Sequence, residues 1–116
     1  MVLCTRIKAT PKFLQLARKV LTVGKLQELI DSLIINPEAG LLISGTGGIR
    51  KLRWQTGKNN KGKSGGVRIL YYYDKNICIV LLITLYKKSD QENIEASEKV
   101  YLKKILPELL RNYTNE

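Results

Sequence analysis

Residues 50–73 read RKLRWQTGKNNKGKSGGVRILYYY, and Arg50, Lys51, Arg53, Lys58, Lys61, Lys63 and Arg68 place seven cations there with no acid among them. In an extended chain Lys51 and Arg53 share one face, because side chains alternate with period two. Arg68 opens the next apolar stretch, beyond a loop of glycine and lysine, and Lys87 and Lys88 follow Tyr86 at the end of a third. If these stretches are consecutive antiparallel strands, Arg68 and the cations before the loop converge on one surface, with Lys87 and Lys88 at its rim. Arginine offers forked hydrogen bonds to phosphate, lysine a compact charge, and tyrosine a ring on which an unpaired base can stack. A solvated surface normally mixes both signs of charge. This stretch does not, so a polyanion site is the better reading, and the mixture of cations and aromatics suits RNA.

The chain has 116 residues, 44% of them apolar, enough for one domain with one core and too many for a disordered chain. Twenty basic residues against ten acidic ones give a net charge of +10. With the seven cations of the hairpin set aside, the remainder is close to balanced, so the basicity is a local patch. Nucleic acid is the first partner such a patch implies, an anionic membrane the second. Histidine is absent, and Cys4 and Cys78 stand alone. No metal site or cofactor is expected from that set, and the two thiols read as small hydrophobes in strands of a reducing compartment. The opening MVLCTRIKAT is too short and too charged for a signal peptide, and the longest apolar run, Ile77 to Leu85, is too short to span a bilayer as a helix. A cytoplasmic protein with no membrane partner is the expectation.

Several elements must position these cations. VLCTRIK reads as a first strand, and Thr10-Pro11 as the cap and first residue of a helix. Phe13, Leu16, Ala17, Val20 and Leu21 then follow at helical spacing. Val23, Leu26, Leu29, Ile30, Leu33 and Ile34 repeat the pattern up to Asn36-Pro37, which predicts an αα-hairpin over one face of a sheet. Strands are predicted from Arg50 to Thr56, with Leu52 and Trp54 facing the core, from Val67 to Tyr73, and from Ile77 to Leu85. The last is apolar enough to be a central strand covered on both faces. At least one of Tyr71, Tyr72 and Tyr73 must point inward. Helix starts are plausible at Ser89 and near Ser97, and Leu102, Ile105, Leu106, Leu109 and Tyr113 continue at helical spacing, with a kink or restart at Pro107. Gly45-Thr46-Gly47-Gly48 lacks the spacing of a phosphate loop and has no helix after it, so it reads as a turn. The order β-α-α-β-β-β-α describes a small α+β domain with an antiparallel-rich sheet, covering residues 1–116.

GTGGIRKLRW, a Lys/Gly loop, GGVRILYYY and LLITLYKK, in that order, closely resemble the toxins of the RelE/ParE superfamily, in particular the HigB-like branch. NPEAG, ahead of the glycine turn, fits the same pattern. The resemblance runs from about Leu26 to Ile94, and in element order over the whole chain. It implies a type II toxin–antitoxin ribonuclease with the RelE-like fold, which cuts messenger RNA on the ribosome and arrests translation. It also implies a cognate antitoxin, helix-turn-helix and HigA-like in this branch. Lys51, Arg53 and Arg68 match the cleaving cluster, and Lys88 the basic residue after the last strand. Lys58, Lys61, Lys63, Tyr86 and Lys87 would grip RNA. RelE itself uses a C-terminal tyrosine where this chain has Ile94, so that role is absent or moved to Tyr86 or Tyr113. The implied reaction is metal-independent attack of a ribose 2′-OH on the adjacent phosphate. Crowded cations favour Lys51 as a base while bound phosphate opposes it, and the two effects remain open here. Two other readings stand beside this one: a ParE-like gyrase inhibitor, and a basic nucleic-acid-binding module without chemistry.

Overall fold

Thr10 caps the first helix as its position before proline implies, but its hydroxyl has a second task. The oxygen accepts the Phe13 amide at 3.0 Å and donates to the carbonyl of Ile83 at 2.7 Å, 73 residues away in sequence. The computed structural model describes residues 6–57, 66–91 and 93–114. Their order is β1 (Arg6–Ala9), α1 (Pro11–Val20), α2 (Val23–Ile35), β2 (Leu41–Leu42), β3 (Ile49–Trp54), β4 (Val67–Asp74), β5 (Ile79–Lys87) and α3 (Ala96–Thr114). The strands form one mixed sheet in the order β1-β5-β4-β3-β2, with β1 parallel to β5 and every other pair antiparallel. The fold is α+β, as expected. The sequence pattern did not predict β2, a two-residue edge too short to show alternation.

Both faces of the sheet are covered. Phe13, Ala17 and Leu21 of the first helical segment and Leu29 and Leu33 of α2 pack on Val67, Ile69, Tyr71, Val80, Leu82 and Leu85. On the opposite face Leu102 and Leu106 of α3, with Ile94 before it, pack on Ile49, Leu70, Leu81 and Ile83. The near-continuous apolar run of β5 follows from this, since it supplies side chains to both cores. Leu52 and Trp54 point to the α1/α2 core as predicted, and the Trp54 indole N–H donates to the Lys25 carbonyl at 2.8 Å.

Register in the central pair changes once. Leu70 lies opposite Thr84, but Tyr71 lies opposite Leu82, so Ile83 is an extra residue in β5. A bulge of this kind turns the following side chains to the other face. Thr10 holds the bulged backbone through two bonds, its amide to the Leu82 carbonyl at 3.0 Å and its hydroxyl to that of Ile83.

Tyr71 is the inward tyrosine. Its fully buried hydroxyl accepts the Gly40 amide at 2.8 Å and donates to the Pro37 carbonyl at 2.9 Å, which ties the NPEAG segment to the sheet. Gly40 is required there, because a Cβ would stand 2.9 Å from the Tyr71 ring. Arg50 also serves this segment: it donates to the carbonyls of Gly40 at 2.7 Å and Glu38 at 3.2 Å. One of the seven cations of the hairpin therefore has a structural role. The glycine-rich stretch is the β2–β3 turn. Buried Thr46 bridges it by donating to the Ile43 carbonyl at 2.7 Å and accepting the Ile49 amide at 3.0 Å, and Gly45 and Gly47 take φ values of 84° and 83°.

Several details differ from the sequence reading: β3 spans Ile49–Trp54, β4 runs on to Asp74, and β5 spans Ile79–Lys87. Ile77 and Cys78 lie in the β4–β5 turn, where Cys78 has a φ of 53°, so this half-buried cysteine is not a strand residue. Cys4 lies outside the described residues. Ser89 sits in a turn, and α3 starts at Ala96, near the second predicted site. Pro107 neither ends nor restarts α3. It sits on the exposed side of the helix, as does Lys103, whose carbonyl it leaves without an amide.

Replacement of Thr10 by valine keeps the shape but removes a cap and a buried hydrogen bond, so urea unfolding should show a loss of about 2–3 kcal/mol, with Thr10→Ser recovering most of it. Burial is the largest influence on the Tyr71 phenol and raises its pKa above the ordinary 10.0, while the Gly40 bond and Arg50 oppose the rise. Stability from the un-ionised phenol is complete below that value and is lost as pH rises through the elevated one. Denaturation midpoints of the wild type should therefore fall more steeply above pH 10 than those of Tyr71→Phe.

Candidate nucleic-acid interface

β3 and β4 pair so that Arg53 stands directly opposite Arg68, with Lys51 opposite Leu70. Residues opposite each other in an antiparallel pair share a face, and like charges in such positions repel at a Cβ separation of about 5 Å. Leu70 belongs to the α3 core, so Lys51, Arg53 and Arg68 all lie on the α3 side of the sheet. Arg68 is in turn opposite Tyr86 of β5. Arg53, Arg68 and Tyr86 thus form a row across three strands. The row depends on the bulge, because unbroken alternation along β5 would have turned Tyr86 toward the helical hairpin.

These cations surround a cleft of about 470 Å³, whose lining includes Leu41, Lys51, Arg53, Arg68, Lys88 and Asn93. Arg68 is the most enclosed of them, 7% exposed, and Nη1 donates to its neighbour's carbonyl, that of Val67, at 3.4 Å. Arg53 is exposed and Lys51 half-buried. Lys88 reaches the cleft from just beyond β5, where its amide donates to the Gly66 carbonyl at 3.1 Å and pins the chain beside β4. The cleft therefore offers a fixed, enclosed guanidinium at its floor and more accessible cations around it. That arrangement suits an anion with several oxygens, such as a phosphodiester.

The remaining predicted residues fare differently. Lys87 pairs with Val67, whose side chain is in the α1/α2 core, so it lies on the opposite face from the cleft. The expectation that it closes the rim is corrected by strand alternation: of two adjacent lysines at a strand end, only one faces the cleft. Lys58, Lys61 and Lys63 lie outside the described residues. Tyr86 packs beside the α3 core, and its hydroxyl is buried without a hydrogen-bond partner among the described residues. Burial raises its pKa, Arg68 opposes this, and Glu98 adds to it. A phenol held that way is neutral at physiological pH and can donate a proton but not act as a base. Ile94 is 8% exposed in the same core, and Tyr113 packs against that core from α3.

Sequence reasoning missed Leu41 and Asn93. Leu41 belongs to the unrecognised β2, and Asn93 precedes α3 in a segment without periodicity. Among the described residues no cluster of three His, Cys, Asp or Glu could hold a metal ion, and none of their helices is long and apolar enough to cross a membrane.

No protein-family profile matches the chain. Three solved structures resemble it. A mutant of the E. coli toxin RelE in the free state superimposes with a TM-score of 0.55 at 18% identity, over 92% of this chain and 98% of that one. The intact E. coli RelBE toxin–antitoxin complex gives 0.53 at 19% identity, over 71% and 94%. The archaeal RelE–RelB complex from Pyrococcus horikoshii gives 0.52 at 17% identity, over 76% and 99%. The chain has the RelE fold.

Binding of a fluorescent single-stranded oligoribonucleotide, titrated against salt, checks the placement of the cations. Lys51→Ala and Arg53→Ala should each reduce the slope of log K against log salt by about 0.7, whereas Lys87→Ala on the opposite face should leave it unchanged.

Proposed function

We propose that this chain is the toxin of a type II toxin–antitoxin system, of the HigB-like branch, and that it acts as an endoribonuclease on messenger RNA. The observation that carries this reading is the convergence of Lys51, Arg53, Arg68 and Lys88 on one cleft in a chain with the RelE fold. RelE toxins solved with their RelB antitoxins support the assignment of a cognate antitoxin, here a helix-turn-helix protein of the HigA type. The toxin would act in the cytoplasm.

The reaction needs no metal. A ribose 2′-OH attacks the adjacent phosphorus, the bond to the 5′ oxygen breaks, and the products are a 2′,3′-cyclic phosphate and a free 5′-OH. The proton leaves the 2′ oxygen and one returns to the 5′ oxygen. Negative charge grows on the non-bridging oxygens in between, and enclosed Arg68 with Arg53 opposite it is suited to that charge. Each guanidinium offers forked N–H donors to that charge. Lys51 lines the cleft two residues from Arg53 on the same face, which supports it as a candidate for proton transfer at the 2′ oxygen. Lys88 holds the phosphate backbone at the rim. Lys58, Lys61 and Lys63 contribute contacts along the RNA, and the ribosome orients the message so that positioning supplies much of the rate. Tyr86, expected to join them, is packed beside the α3 core and does not line the cleft.

Induced expression should cut translated messages at positions that primer extension can map. Arg68→Ala should lower cleavage a hundredfold or more while the protein still binds the oligoribonucleotide within tenfold. Equal loss of binding and growth arrest would instead favour a binding module. Gyrase-dependent DNA damage without message cleavage would favour a ParE-like toxin. Purified protein that cuts naked RNA as fast as translated message would sink the ribosomal part.

A further inference from the structure

The cations of the cleft outnumber the charge that a single phosphodiester brings to it. Lys51, Arg53, Arg68 and Lys88 line a space of about 470 Å³, and among the described residues no acid lines it with them. That volume falls in the range of roughly 300–1,000 Å³ usual for small-molecule sites. A phosphodiester link carries one negative charge, whereas a terminal triphosphate carries about four near neutral pH, because its last phosphate ionises twice. The lining is also sided. Leu41 stands opposite Lys51, hence on the same face of the sheet, and is 76% exposed. Exposed Ala39 and Asn93 line the same cleft. Arg53 and Arg68 form the next row along the strands. From Leu41 on β2 to Arg68 on β4 is two strand spacings, about 10 Å, and two residues along the strands, about 7 Å. An apolar shelf with one amide therefore ends where a cluster of positive charge begins. The separation is that between a nucleobase and its distal phosphates.

We propose that the cleft also binds a free purine nucleoside triphosphate, with its base on Leu41 and Ala39, Asn93 at the edge of the ring, and its phosphates among the four cations. Charge selects the terminal triphosphate, since it neutralises all four where a single phosphodiester neutralises one. Arginine forks each hold two phosphate oxygens, and the enclosure of Arg68 lowers the local dielectric and strengthens the attraction. Apolar contact selects a purine, which covers more of Leu41 than a pyrimidine does. The Asn93 carboxamide places a donor beside an acceptor, the complement of an adenine edge. This site stands on the cleft alone and rests on the toxin reading only for its consequence. Nucleotide and message would compete for one set of cations, so abundant nucleotide would slow cleavage.

The test titrates the whole protein by calorimetry, in metal-free buffer, with ATP, UTP, adenosine and inorganic tripolyphosphate. ATP should bind and should displace a fluorescent oligoribonucleotide, while adenosine does neither and UTP binds more weakly. Tripolyphosphate carries more charge than ATP and would bind more tightly if charge alone decided. It is expected to bind about fivefold more weakly, because it has no base to cover Leu41. Leu41→Ser and Asn93→Ala should weaken ATP and leave tripolyphosphate unchanged. Arg53→Ala should weaken both about tenfold, and Lys87→Ala, on the opposite face, neither. Leu41, Arg53 and Asn93 are exposed, so these variants should keep the wild-type thermal midpoint. If one does not, the four ligands on the wild type still decide. Tripolyphosphate that binds as tightly as ATP would overturn the proposal, as would equal binding of UTP or no binding at millimolar ATP. So would ATP affinity that a folded Leu41→Ser leaves unchanged, or ATP that binds without displacing the oligoribonucleotide. No readout here involves RNA cleavage. Nucleotide binding by a chain that cuts nothing would end the nuclease reading and leave this site, and cleavage without nucleotide binding would do the reverse.

Discussion

One threonine hydroxyl holds the junction on which the arrangement of this protein turns. Thr10 directly follows β1, caps α1 and bonds the carbonyl of Ile83 at the point where β5 carries one residue more than β4. Below the bulge β5 alternates so that Leu81 and Ile83 meet α3 while Val80 and Leu82 meet the helical hairpin. Above it the phase is reversed, and Leu85 belongs to the hairpin core while Tyr86 stands beside Arg68. A bulged carbonyl buried without a donor would cost free energy comparable to a lost hydrogen bond. Thr10 supplies the donor from an element that must lie there in any case, since β1 pairs β5 as far as Ala9.

The second constraint is electrostatic and works against the fold. Arg53 and Arg68 face one another across neighbouring strands, with Lys51 beside them, and such pairs destabilise a sheet. The protein tolerates this at one end of one face. At the other end of that face the α3 core fills the sheet with Ile49, Leu81 and Ile83, while on the opposite face the α1/α2 core follows β4 from Val67 to Tyr73. Stability comes from the two cores, which offset the repulsion among the cations of the cleft. Arg50 marks the contrast: one residue from Lys51, it points to the opposite face and is engaged by the Glu38–Gly40 segment.

Neighbouring positions in this chain thus differ in role because of strand phase and not because of residue type. Lys87 and Lys88 are adjacent and alike, yet only Lys88 lines the cleft. Tyr71 and Tyr72 are adjacent and alike, yet Tyr71 anchors the loop before β2 from within one core while Tyr72 packs beside the other. A chemical inventory of the sequence overcounts the site for this reason.

By itself the sequence determined most of what is local. It placed the capped helix after Thr10, the stop at Asn36-Pro37, the glycine turn before β3, the inward side of Leu52 and Trp54, and the shared face of Lys51 and Arg53. These follow from side-chain volume, backbone freedom and period two or 3.6, all set within a few residues. Its ordered motifs also pointed to the RelE fold that the superposition shows. Only the tertiary structure decided the parallel seat of β1, the two-residue β2, the bulge at Ile83, the face of Tyr86 and Lys87, and the union of Lys88 with Arg68. Each of those depends on register between segments far apart in the chain. A one-residue slip in register reverses every side chain beyond it, and no local preference in the sequence records where that slip occurs.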